Sequence, residues 1–439
     1  MGHLGHLKAE YQDLVTRLDS NPVGMPFPTT DHARKGWQEI LEILYTTEEA
    51  ALGAKLPLMP ASLERIAKKT GIAAPDLKMR LDAMADKGLV MDLIHPKTKK
   101  VKYMLSPPVV GFFEFSLMRA KDMIPKKRIA EALDAYCHGD AAFASEVFGG
   151  DTVIGRTMVN EDMLGQESMP DILDWERATH LLKEARNIAV ALCYCRHKQE
   201  HLGKACDAPV DNCLSINAGA DFVERRNFGR KIDAMEALDI LVRSRESGLV
   251  QIADNVQNRP SFICNCCGCC CGQLQAINEY DLHAVNPSNY RHFLDRDKCV
   301  GCSKCARACP VTAIFMTATI QTANRKNKIF PAINLERCIG CGVCAQACSS
   351  KHALSMKTYT KKTHIPVNAI EKSVRMSLER GRLADLIFDQ GEGRGSRFLN
   401  KVVKSITNLS PIEKVLASEQ LRSRFINYVL KTVKDPTEG

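Results

Sequence analysis

Eighteen of the nineteen cysteines in this 439-residue chain fall between Cys193 and Cys348, and eight of them write one pattern twice. The first copy is Cys299-Val-Gly-Cys302-Ser-Lys-Cys305-Ala-Arg-Ala-Cys309-Pro310, and the second is Cys338-Ile-Gly-Cys341-Gly-Val-Cys344-Ala-Gln-Ala-Cys348. Each reads C-x2-C-x2-C-x3-C. Three cysteines at three-residue intervals reach three irons from one curled loop, the spacing that wraps backbone around a cubane [4Fe–4S] cluster. Gly301, Gly340 and Gly342 let the loop turn tightly and bring N–H groups toward the cluster sulfurs. Zinc fits this pattern poorly, because zinc sites pair two C-x2-C knuckles.

The doubled motif resembles that of bacterial two-cluster ferredoxins, in which the fourth cysteine of each run ligates the other cube. The resemblance implies one cluster on Cys299, Cys302, Cys305 and Cys348, and another on Cys338, Cys341, Cys344 and Cys309. The fourth cysteine is expected to open a helix. Two departures stand out: Ser349 replaces the proline expected after Cys348, and Ile320 to Ile333 reads as an inserted hairpin turning at Asn324-Arg325-Lys326-Asn327.

Ten further cysteines precede this part. One group is Cys193-Tyr-Cys195-Arg196 with Cys206 and Cys213; the other is Cys264-Asn-Cys266-Cys267-Gly268-Cys269-Cys270-Cys271. Adjacent cysteines rarely reach disulfide geometry with one another, so metal ligation and a reducing compartment are expected. Three readings stay open: unligated thiols, zinc on Cys193, Cys195, Cys206 and Cys213, or one or two further iron–sulfur clusters shared by both groups. The last is preferred, because ten thiols fill two cubanes with two to spare. Cys266-Cys267-Gly268 resembles the CCG motif of noncubane clusters of the heterodisulfide-reductase type. Arg196, Arg225, Arg226 and Arg230 are candidates to offset cluster charge, or ordinary surface arginines. Cys137 stands alone and reads as a simple thiol.

The fold is expected to be α+β, in five parts. Residues 1–108 hold an N-terminal helix and a winged-helix-like domain: an amphipathic helix on Trp37, Ile40, Leu41 and Leu44, a short helix stopped by Gly71, a second opened by Pro75, and a hairpin over Val90–Leu105 broken at His95-Pro96-Lys97. Residues 109–174 are a mixed connector, within which Thr152–Val159 reads as a strand. Residues 175–289 are a small cysteine-rich α/β domain, with strands running into Cys193 and Cys264 and a helix capped by Asp233. Residues 290–358 are the ferredoxin-like domain. Residues 359–439 are a basic helical extension; 361–439 holds 15 Lys/Arg against 9 Asp/Glu, supplying +6 of the net +9. Within it, Ser410-Pro411-Ile412-Glu413 is a capping box.

The N-terminus lacks an apolar signal region and no apolar run is long enough to cross a bilayer, so a cytoplasmic protein is expected. No G-x-G-x-x-G follows a strand and there is no Walker A sequence, which argues against a nucleotide-dependent catalyst. Asp76, Asp82 and Asp86 on the second winged-helix helix would repel a phosphate backbone, despite Lys97, Lys99, Lys100 and Lys102 on the wing. Docking to a redox partner or oxidoreductase complex is therefore preferred over DNA binding.

The whole chain resembles iron–sulfur proteins of anaerobic bacteria that combine a winged-helix-like start, C-x-C-R and CNCC-x-CCC motifs, and a two-cluster ferredoxin part. That resemblance implies an electron relay, within or beside a larger oxidoreductase. The alternative is a redox-sensing, DNA-binding regulator. Chemistry at the Cys193–Cys271 group would require an iron left with an open position.

Overall fold

The computed structural model describes residues 9–164, 173–319, 328–348, 352–359, 363–383 and 385. The turn at Asn324–Asn327 and the capping box at Ser410–Glu413 lie outside these. The described residues are mixed α and β and fall into two compact units, one from the 9–152, 225–227 and 367–385 ranges and the other from 153–224 and 228–366.

The first unit opens with α1 (Ala9–Asp19), α2 (Asp31–Leu44) and α3 (Thr47–Gly53). Thr30 caps α2 by accepting the Ala33 N–H, and Thr46 with Glu49 forms a capping box on α3. The apolar stripe of α2 is fully buried, Trp37 included. Strand β1 (Ala61–Ser62) leads into α4 (Leu63–Thr70), which ends at Gly71 in the left-handed conformation, and then α5 (Ala74–Asp86). Strands β2 (Val90–Ile94) and β3 (Val101–Leu105) pair antiparallel from Val90↔Leu105 to Ile94↔Val101, giving a sheet ordered β1-β3-β2. Then follow α6 (Phe113–Leu117), α7 (Lys126–His138) and α8 (Ala141–Phe148). A Cβ on Gly36 of α2 would stand 2.5 Å from the Ala132 carbonyl oxygen of α7, so only glycine lets these two helices pack this closely.

The second unit is built on a seven-stranded sheet. Its strands are β4 (Gly155–Thr157), β5 (Ile188–Ala191), β6 (Cys213–Ile216), β7 (Arg230–Ile232), β8 (Val250–Asp254), β9 (Phe262–Cys266) and β10 (Val285–Asn286), ordered β10-β4-β8-β9-β6-β5-β7. Only β10–β4 is parallel. Its helices are α9 (Ala178–Glu184), α10 (Tyr194–His201), α11 (Ala218–Arg225), α12 (Ala234–Glu246) and α13 (Gly272–Tyr280). Leu181 and Leu182 of α9 and Ala237, Ile240 and Leu241 of α12 pack on Ile188, Val190, Leu214, Ile216 and Ile263. Side chains alternate along a strand. Cys213, Cys264 and Cys266 therefore stand on the opposite face of the sheet from that helical core.

The cysteine-repeat segment adds β11 (Tyr290–Leu294), α14 (Lys304–Ala308), β12 (Ile314–Thr319), β13 (Lys328–Ile333), α15 (Val343–Ala347) and β14 (Leu354–Thr358). Strand β11 pairs with β14 and β12 with β13, all antiparallel. Helix α16 (Ala369–Glu379) belongs to the first unit, where Glu379 accepts from Thr152 N and Oγ1. Among the described residues no helix is long and apolar enough to cross a membrane.

Candidate metal centres

The two C-x2-C-x2-C-x3-C runs fold as near copies. Gly301 and Gly340 both have φ near +70°, and added side chains there would meet the Ile329 and Tyr290 carbonyl oxygens at 2.6 and 2.3 Å. Each run then enters a five-residue helix through a left-handed residue, Ser303 in the first copy and Gly342 in the second. Cys305 and Cys344 lie within those helices. Cys309 and Cys348 end them rather than open them, which corrects the expectation from sequence. Pro310 supplies the reason in the first copy, since a residue preceding proline is pushed out of helical conformation.

The fold brings the eight cysteines together in two sets of four. One cavity is lined by Cys299, Cys302, Cys305 and Cys348, with Leu294, Met316 and Leu354. The other is lined by Cys338, Cys341, Cys344 and Cys309, with Ile314, Ile333 and Met356. Each cavity thus takes three cysteines from one run and the fourth from the other. Backbone N–H groups are already aimed at the sulfurs: Ala313 donates to Cys309 Sγ at 3.2 Å, Val343 to Cys341 and Ala306 to Cys305. Burial pushes the Cys341 thiol up to about 12 and the Cys344 thiol well above its ordinary value. Such thiols become thiolates only by binding metal. Apolar, hydrogen-bond-lined pockets with four thiols each fit [4Fe–4S] clusters. Arg291, buried beside Cys338 and stacked on Tyr359, is a cation that sequence reading missed, because it lies outside the motif.

The other ten cysteines divide six and four. Sulfur contacts run from Cys193 to Cys195, to Cys271, to Cys266, to Cys264 and to Cys213. The sheet explains part of this nest: the Leu214↔Ile263 register sets Cys213 opposite Cys264, and Cys266 follows on the same face of β9. Helix starts supply the rest. Cys193 precedes α10 and Cys271 precedes α13, and the N–H groups of Arg196, Gly272 and Leu274 donate to Cys193, Cys195 and Cys271. Helix N-termini favour the negative charge of thiolates and of a cluster. Hydrogen bonds from Cys195 and Cys266 bring Cys271 down to about 5. Six converging thiols exceed the four of a single cubane.

Cys206, Cys267, Cys269 and Cys270 form the remaining set. The four cysteines weighed for zinc from sequence, Cys193, Cys195, Cys206 and Cys213, are therefore split: Cys206 joins the loop after β9, and the others join the six. Spacing along the chain could not reveal this, because the partition is set by which strands are neighbours.

Of the four arginines, Arg196 alone meets the cysteines. It is 2% exposed and donates to Cys267 Sγ at 3.6 Å, to Asn265 O and to Asn212 Oδ1 at 3.3 Å, and to Pro209 O. Cys267 is held at about 4, first by a hydrogen bond with Cys270 and then, against burial, by Arg196. Arg225 and Arg226 engage Asp92 in the first unit, Arg226 also Asp82 and Asp86. Arg230 is a surface residue paired with Glu236. Cys137 is buried in α7 of the first unit.

The loop carrying Cys267 and Cys269 also touches the repeat. A Cβ on Gly268 would fall 2.2 Å from the carbonyl oxygen of Pro310, the residue after Cys309. Asn278 ties both sides, donating to Pro310 O at 3.0 Å and Gly268 O at 3.4 Å, and Arg337 braces it by donating to Asn278 O and Val311 O.

Residues 298–362 match the model of a 4Fe-4S dicluster domain. No curated protein and no solved structure matches the chain. The chain thus carries an iron–sulfur domain of ferredoxin type, and the class of chemistry indicated is iron–sulfur electron transfer.

Proposed function

We propose that this protein is a multi-cluster electron relay, a redox partner or subunit of a larger anaerobic oxidoreductase rather than a stand-alone catalyst. One observation carries the reading: Gly268, between Cys267 and Cys269, packs directly on Pro310, beside Cys309. The relay runs from a cluster on Cys299, Cys302, Cys305 and Cys348, through one on Cys338, Cys341, Cys344 and Cys309, to the centres at Cys193–Cys271. The six-cysteine nest carries a further iron–sulfur cluster. Cys302 and Val300 are exposed, so the first cluster is where a soluble redox partner docks. Nineteen free thiols suit the reducing cytoplasm.

For the N-terminal part, the order α4, α5, β2, β3 with a β1-β3-β2 sheet supports a winged-helix-like arrangement. Asp82 and Asp86 of α5 take Arg226. An acidic face engaged by an arginine favours a docking or structural role over DNA binding. Salt-sensitive, sequence-specific shifts of DNA fragments would favour the redox-sensing regulator instead.

The relay is tested by anaerobic redox titration with low-temperature electron paramagnetic resonance. Electrons added substoichiometrically redistribute within milliseconds between the dicluster part and the Cys193–Cys271 centres. Centres at Cys193–Cys271 that never exchange electrons with the dicluster part overturn the reading.

A further inference from the structure

We infer that Cys206, Cys267, Cys269 and Cys270 hold one mononuclear metal ion, zinc or iron, in a tetrahedral tetrathiolate site separate from any cluster. All four Sγ atoms lie within 4.8 Å of one another, with Cys206–Cys267 and Cys269–Cys270 both at 3.6 Å. A tetrahedral ion with metal–sulfur bonds of about 2.3 Å sets its ligand sulfurs roughly 3.8 Å apart. A cubane gives every thiolate its own iron and spreads the sulfurs further. The chain supplies its own comparison: among the described residues, neither four-cysteine set of the dicluster region closes to the same mutual distance.

Local structure explains the tight set. Three of the ligands come from the four residues Cys267-Gly268-Cys269-Cys270, between the end of β9 and the start of α13, and curl around one point. The fourth, Cys206, arrives from the segment between α10 and β6. The 3.6 Å separations are far beyond a disulfide bond, and all four cysteines are free. Four thiolates around a divalent ion leave two negative charges. Buried Arg196 donates to Cys267 Sγ at 3.6 Å, and the Cys206 N–H donates to Cys270 Sγ, so outer donors are in place for that excess. Cys270 is buried and Cys269 exposed, so one corner of the site faces solvent.

The inference rests on the Cys193–Cys271 region binding metal, but not on that region carrying electrons. It is tested on full-length protein purified without oxygen, with iron, zinc and acid-labile sulfide measured per chain. Cys206→Ala and Cys269→Ala each lose one metal equivalent while acid-labile sulfide and the iron bound with it stay at wild-type levels, which also reports that the variants fold. Loss of several irons together with sulfide from both variants, or loss of no metal from either, overturns the inference. Wild-type protein gives an answer without any variant. Either zinc-edge X-ray absorption shows four sulfurs at about 2.3 Å, or the Mössbauer spectrum contains one uncoupled tetrathiolate iron. A wild-type protein with neither signature refutes the site and leaves the relay to be judged by its own titration.

Discussion

Replacing Gly268 by alanine probes the contact on which the relay depends. Gly268 does not have a positive φ, so alanine is allowed there by backbone conformation and the whole cost is contact. The added Cβ would lie 2.2 Å from Pro310 O, 3.0 Å from its carbonyl carbon and 3.1 Å from its Cα. These are backbone atoms and cannot rotate away. Ordinary contact begins at roughly 3.5 Å, so the loop and the Cys309–Pro310 segment must part by about 1 Å. Overpacking of this kind costs about 1–3 kcal/mol, which lowers the melting temperature of a unit this size by roughly 3–9 °C. Gly272→Ala is the control, because its Cβ would meet nothing within 4 Å and it opens helix α13. Its melting point stays the same or rises. Both loaded proteins are melted anaerobically at one scan rate, and electron transfer from the dicluster part to the Cys193–Cys271 centres is timed by freeze-quench. Gly268→Ala melts lower and transfers more slowly; Gly272→Ala does neither. A Gly268→Ala protein that transfers electrons at the wild-type rate refutes the route through Pro310, and one that melts with the wild type refutes the packing argument itself.

Three further outcomes are expected. Crossed ligation makes Cys309 and Cys344 partners in one cluster, so the double variant Cys309→Ala/Cys344→Ala loses about four irons, whereas Cys309→Ala/Cys305→Ala loses about eight; the reverse ranking by iron analysis means the fourth cysteines do not cross. Arg196→Met removes a buried cation beside thiolates that become more negative on reduction. A hydrogen bond to a charged group is worth about 1.5–3 kcal/mol, and only the part of it that grows on reduction moves a midpoint, so with iron at the Cys267 site its midpoint falls by at most roughly 65–130 mV for one electron; a titration of the iron-loaded site in which no midpoint falls excludes Arg196 as a tuning residue. Metal-free protein carries Cys341 as a thiol, since burial pushes it up to about 12. Iron binds the thiolate and releases that proton, so affinity rises with pH throughout the range below that value; reconstitution that is no more complete at about pH 9 than at about pH 7 contradicts this.

What could be read from sequence was local. The doubled motif is legible because each run makes its own loop and short helix, and its glycines take the positive φ that the turn demands. The hairpin at Val90–Leu105 and the helix stopped by Gly71 were legible for the same reason. The seven-stranded sheet was legible only in part: β4, β5 and β9 fall on stretches that read as strands, and β6, β7, β8 and β10 do not. Strand β4 is only Gly155-Arg156-Thr157, and its charged Arg156 is 2% exposed, its Nε donating to Asp254 O. Strand β10 has two residues, and β7 carries two exposed cations. Strands as short as β7 and β10 show no alternation to recognise.

The same distinction orders the cysteines. Spacing names the ligands of a cluster that one loop encloses, but it cannot say which of ten upstream cysteines are neighbours. Cys213 meets Cys264 because β6 lies beside β9, and Cys193 and Cys271 meet that pair because two helices start at the same end of the sheet. Cys206 leaves its sequence neighbours for Cys267, Cys269 and Cys270 in the loop after β9. Gly268 of that loop has to seat against Pro310 without a side chain. That glycine, inside the four-cysteine site, sets it beside the Cys309 end of the dicluster domain. A substitution there is expected to disturb the route, which is why Gly268, a residue with no chemistry of its own, is the sharpest place to test it.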